Sequence, residues 1–236
     1  MARPRPPHII KTILDAGEQV LVGRGMAHTS VADVAADAGI GVGSVYHYFA
    51  DKRALLDWVV LRVLLPDVEI PAELPLGRPP TTITEAVARY HDLRRALPVL
   101  HRVGASPLDG AMHDELAILI GEFCDLIART DRVQTLVEVT SNDIEELRRA
   151  WYIGYRRNLV AAYERYLRRR IDEGALRPLD DPTFAARWLI DTVVLFLRLQ
   201  RLDPYPAELP ADGLRDHLVD MLVGGFAGPA RPLTAP

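Results

Sequence analysis

The chain has 236 residues, with 28 Lys+Arg against 32 Asp+Glu and a formal net charge of −4. That length allows one large domain or two modest ones with real cores. An apolar fraction of 49% excludes a disordered chain. Taken at face value, the acidic balance also argues against nucleic acid, whose phosphates attract Lys and Arg. The one cysteine, Cys124, permits no intramolecular disulfide and suggests a reducing compartment. With no run of 18 apolar residues and no apolar leader after Met1, a cytoplasmic protein without membrane contact is expected.

The apolar spacing predicts helices separated by proline and glycine breaks. Ile10, Ile13, Leu14, Val20 and Leu21 mark a helix from about Ile9 to Arg24, stopped by Gly25. Ser30 is placed to cap a short second helix carrying Val31, Val34 and Ala35 inward, and Gly39 ends it. A third helix runs from Val42 to about Tyr48 or Phe49. Asp51 then caps a fourth, through Leu65, which Pro66 closes. Residues 66–82 contain five prolines and read as a stiff surface connector.

Thr82 and Glu85 form a capping box for a helix towards Ala96, bent or ended by Pro98. A helix from Met112 to Thr130 follows. Residues 132–140 are the one place where a strand could be argued, although a helical turn fits their position better. Asn142 and Glu145 form a second capping-box pattern, opening the longest helix, Asp143 to Glu173, stopped by Gly174. Asp181-Pro182 starts a helix to about Arg201, and the last spans about Asp212 to Phe226. The expected class is all-α: a three-helix helix-turn-helix head (1–53) and a larger helical body (54–236), nine or ten helices together.

The informative stretch is Ser30 to Lys52. Two short helices joined by Ala38-Gly39-Ile40-Gly41 have the form of a helix-turn-helix, whose second helix offers its N-terminal residues to the major groove. Val34, Ala35, Val45 and Phe49 supply the packing, and Ser44, Tyr46, His47 and Tyr48 crowd the short third helix. Gly43 and Ser44 are small where backbone would approach DNA. Arg3 and Arg5 form a short basic arm that could reach a minor groove or trail freely.

The run from Thr29 to Leu56, above all Val45-Tyr46-His47-Tyr48-Phe49-Ala50-Asp51-Lys52, resembles the head of the TetR family of transcriptional regulators. The resemblance covers about residues 9 to 60. It implies that Tyr46 and Lys52 contact phosphate, that Ser30 meets the backbone, and that Val42, Gly43, Ser44 and His47 face bases. Gly41 departs from the Ser or Thr usual at the start of the recognition helix. The resemblance further implies a body that binds a small-molecule effector and pairs with a second copy, so that the homodimer reads a near-palindromic operator.

Two apolar stripes suit such pairing: Leu189, Val193, Phe196 and Leu197, and Leu214, Leu218, Met221, Leu222 and Phe226. Both could equally face the chain's own core. For a pocket, Trp151, Tyr155, Asn158 and Ala162 share one helical face, and Phe123 and Cys124 lie on a candidate partner helix. No cofactor or metal is expected, since the seven histidines never fall at metal-ligand spacing. Neither a phosphate loop nor a nucleophile motif supports an enzyme. The expectation is thus a ligand-responsive regulator, more readily a repressor than an activator. A binding module that has lost DNA, or an enzyme on a helical body, stands as the alternative.

The charge divides unevenly. Residues 1–53 carry a net +1 and the remainder −5, so the acidity belongs to the body. It no longer argues against DNA at the head.

Overall fold

The computed structural model describes residues 7–103, 112–202 and 213–227. Arg3 and Arg5 lie outside these residues. The described chain is all-α, with no named strand, and none of its helices is long and apolar enough to cross a membrane. It forms two compact units, one of residues 1–91 with 132–155 and the other of 92–131 with 156–236.

In the first unit, α1 (Pro7–Arg24), α2 (Val31–Asp37) and α3 (Val42–Tyr48) form the head, and α4 (Lys52–Leu64) packs on α1. The two come very close at Gly17, where a Cβ would stand 2.7 Å from Val59 Cγ2. Helix α4 is buried on almost every side, as a helix apolar all round must be. Its one buried charge, Asp57, accepts from Arg53 Nε at 2.8 Å and from Arg78 Nε at 2.9 Å.

Arg78 comes from the connector, which is more than a surface spacer. Leu76 pairs with the end of α3: its N–H donates to Tyr48 O at 2.7 Å, and its carbonyl accepts from Ala50 N at 2.9 Å. Trp58 Nε1 on α4 donates to Gly77 O at 2.8 Å. One buried leucine and four polar contacts thus strap residues 76–78 to the end of α3 and to α4.

Beyond the strap, α5 (Ile83–Tyr90) opens with the Thr82–Glu85 capping box that the sequence predicts. The segment at 131–140 is helical (α9, Asp131–Thr140), and Arg132 clamps Glu18 of α1. The Asn142–Glu145 box does not form. Ile144 is the N-cap of α10 (Glu145–Arg148), and Glu145 instead pairs with Arg148 and Arg149. The predicted long helix is interrupted by a π-helical stretch at Arg149–Arg156.

In the second unit, α6 (Leu93–Ala96) and α7 (Pro98–Val103) replace the rest of the helix expected towards Ala96. Pro98 opens α7, a position where its missing N–H costs nothing. Helix α7 packs on α8 (Met112–Arg129) and α11 (Arg157–Asp172), which in turn carry α12 (Pro182–Leu202) and α13 (Leu214–Ala227). Asp181 caps α12 as predicted, accepting from Thr183 N and Phe184 N. The core contains a buried ion pair: Arg170 donates to Glu115 at 2.7 and 3.0 Å, and Tyr166 Oη donates to the same carboxylate at 2.9 Å. Burial, and then the Glu115 carboxylate, push the Tyr166 phenol well above its ordinary range.

Candidate nucleic-acid interface

Helix α3 has seven residues, too few to be stable alone, and it is held by packing. Val45, Tyr48 and Phe49 are buried against the head. Val42, Gly43, Tyr46 and His47 stand exposed, and Ser44 is half-buried. Tyr48, which the sequence reading also counts among the DNA-binding residues, turns inward. It lies three residues after Val45, on the same inward face, and its ring is core.

Gly41 caps α3 with no side-chain hydrogen bond, a loss of a few tenths of a kcal/mol relative to Ser. Gly39, at φ 67°, makes the turn before it. Helix α2 carries the full box. Ser30 Oγ accepts from Asp33 N at 3.1 Å, and Asp33 accepts from Ser30 N at 2.9 Å. The Ser30 hydroxyl and amide, with Arg24 at 2.6 Å, hold the Asp33 carboxyl below its ordinary range. Ser30 remains exposed at the mouth of α2. Lys52 is exposed at the first turn of α4, where the Asp51 side chain accepts from Ala54 N at 2.7 Å.

The residues proposed for a ligand pocket are divided between the two units. Trp151 and Tyr155 are buried in the first unit, ring centroids 5.3 Å apart. His91 stacks on Tyr155 at 3.3 Å and meets Trp151 edge-on at 4.4 Å, a partner with no signal in the spacing. Phe123 belongs to the second unit and packs on Tyr163, and burial lifts the neighbouring Cys124 thiol to about 11. Asn158 does not share the face of Trp151 and Tyr155; it is exposed. The buried positions run Leu147, Trp151, Tyr155, Leu159, Tyr163, Leu167, every fourth residue, which on an α-helix drifts by about 40° per step. The π turns take up part of that drift and leave Asn158 outside the stripe.

The pairing stripes need a similar correction. Leu189, Val193, Leu214, Leu218, Leu222 and Phe226 are buried in the second unit's own core, Leu197 is half-buried, and Phe196 and Met221 are exposed. The outward apolar face of α12 is Phe184, Trp188, Leu195 and Phe196, and Met221 projects from α13.

A capped helix, a glycine turn and a short second helix with an exposed polar end form a helix-turn-helix head in an all-α chain. Residues 13–59 match the family described as bacterial regulatory proteins, tetR family. The chain is 28% identical over 217 residues to the HTH-type transcriptional repressor KstR2 of Rhodococcus jostii (strain RHA1), covering 92% of this chain and 90% of that protein. Its fold is shared by the ketosteroid transcriptional regulator KstR2 of Mycobacterium tuberculosis, with a TM-score of 0.59, 18% identity, and 97% and 100% of the two chains covered. The fatty acid degradation regulator FadR of Bacillus halodurans is similar in fold at a TM-score of 0.50, 15% identity, with 94% and 98% covered. The head thus matches the tetR family over residues 13–59, and the chain as a whole is similar in sequence to a transcriptional repressor.

Proposed function

We propose that the protein is a ligand-responsive repressor that binds a near-palindromic operator as a homodimer in the cytoplasm. Residues 1–53 are its DNA-binding domain and residues 54–236 its ligand-binding and dimerisation domain. The observation that carries the DNA assignment is the exposed end of α3, where Val42, Gly43, Tyr46 and His47 stand clear of the core between exposed Ser30 and Lys52. Repression is favoured over activation by the relation to a repressor at 28% identity. The intact head favours a regulator over a module that has lost DNA.

Pairing through the last two helices is supported by the outward row Phe184, Trp188, Leu195, Phe196 and Met221. Such a row, carried on both copies, is self-complementary about a twofold axis, and a twofold protein reads a site of the same symmetry. An effector then controls the DNA only through its different affinities for the DNA-competent and incompetent states.

Gel shifts on the region upstream of the protein's own gene test the interface. His47→Ala and Tyr46→Phe are each expected to weaken binding about tenfold, the scale of one lost base or phosphate contact. Binding by the wild type should fall linearly, on logarithmic axes, with salt. Unchanged affinity in both variants would remove these residues from the interface.

A further inference from the structure

The second unit holds a cavity of about 320 Å³ between α6, α7 and α11. Its walls are apolar: Leu93, Leu97 and Leu100, at helical spacing on α6 and α7, face Ala162 and the ring of Tyr166 on α11. Tyr166 is fixed there because its hydroxyl is held by Glu115, which the buried Arg170 holds in turn. The remaining lining is His101 and Arg165, both exposed.

Among the described residues, the arginines around this cavity are not all matched by carboxylates. On α11, Arg168 pairs with Glu164, Arg169 with Glu173 and Arg170 with Glu115. Arg165 has no carboxylate partner among the described residues, and neither have Arg94 and Arg95 on α6 or Arg102 on α7. Residues 93–102 contain no acid at all. Asp92 and Glu122, the acids beside α6 and α7, accept from backbone amides: Asp92 from Arg94 N at 3.1 Å, and Glu122 from Val99 N at 2.8 Å and Leu100 N at 3.1 Å. Four arginines without a carboxylate partner among the described residues thus stand on the elements around one largely apolar cavity.

We propose that this cavity is the effector site and that the effector is an amphipathic anion: an apolar body within the leucine walls and a carboxylate or phosphate on Arg165, with His101 as a second donor. The assignment rests on the reading of the chain as ligand-responsive. At about 30 Å³ per heavy atom the space holds roughly ten of them, the size of a medium alkyl chain. The guanidinium gives a bidentate fork for either head group.

Titration calorimetry on the full-length protein with decanoate, decyl phosphate and uncharged decanol tests the class. At least one anion is expected to bind about tenfold or more tightly than decanol, and the tighter anion names the head group. Arg165→Gln should erase that preference and leave decanol unchanged, and Ala162→Phe, which fills the cavity, should abolish binding of all three. Arg165 is exposed, so its variant keeps the test open even where Ala162→Phe fails to fold. Equal affinity for decanol and both anions, or full anion affinity in Arg165→Gln, overturns the proposal. Gel shifts with saturating probe separate the two readings. Release of DNA by the anion supports both, whereas anion binding without any change in DNA affinity removes the effector role and leaves the site. Release by decanol and not by the anions removes the anion class and leaves ligand response standing.

Discussion

Gly43 stands on the open side of α3, where an added Cβ would meet nothing within 4 Å. Nothing inside the chain needs a glycine there, and one in a helix interior costs about 1 kcal/mol relative to Ala. Gly43→Ala is therefore expected to raise stability by up to about 1 kcal/mol. Gly43→Leu should leave the fold intact by circular dichroism yet weaken operator binding about tenfold or more, since in the proposed complex its side chain would hold the α3 backbone off the DNA. Wild-type affinity in Gly43→Leu would place the start of α3 away from the DNA. His91 gives the opposite case, a residue fixed by its interior. It is 8% exposed, neither ring nitrogen has a hydrogen-bond partner among the described residues, and burial lowers its pKa to about 3. The unfolded chain takes up this proton near pH 6.5 and the folded chain does not, so stability should fall as pH drops below 6.5. The loss is about 1.4 kcal/mol per unit, or about 2 kcal/mol at pH 5. His91→Phe keeps the stack on Tyr155 without the proton. Urea unfolding at pH 5 and 7 should show wild type losing about 2 kcal/mol more than the variant, and parallel losses would rule out His91 as the source.

The elements were legible in the sequence wherever a break and a local cap coincide. Ser30 with Asp33, Thr82 with Glu85, and Asp181 before Pro182 each close hydrogen bonds within three residues, so spacing alone reveals them. Asn142 with Glu145 has the same spacing and fails, because arginines at 148 and 149 compete for the Glu145 carboxylate. The π-helical stretch left no local signal, and it moved Asn158 out of the predicted face. The strap was illegible for another reason: its partners, Tyr48 and Ala50, lie more than 25 residues back along the chain. Leu76→Ala tests what the strap does. Losing this buried side chain should cost about 2–3 kcal/mol. It should also free the end of α3, seen as faster hydrogen exchange at the Ala50 amide with no change in α12. If Ala50 exchanges as in the wild type, the strap does not hold the recognition helix.

At the scale of the whole chain, the ambiguous element is α12. Phe184, Trp188 and Leu195 follow one helical face, and Ala186, Leu189, Ile190 and Val193 follow another, so both sides are apolar and periodicity cannot say which turns inward. Burial decides it and so separates two kinds of substitution. Leu222→Ala, in the core, should cost about 2–5 kcal/mol and lower the melting temperature without dissociating the protein selectively. Phe184→Ser with Met221→Ser changes residues 67% and 76% exposed, so the protomer should keep its secondary structure. In the proposed dimer, however, these two side chains are buried. The double variant should sediment as a monomer, and its DNA affinity should drop steeply, because two linked heads bind a two-part site with a high effective concentration that single heads lack. Its residual binding should also no longer depend on the spacing between half-sites. A double variant that remains dimeric would move the interface off this face. One that is monomeric yet binds the operator as tightly as wild type would show that pairing does not set the affinity, and the near-palindromic operator would fall with it.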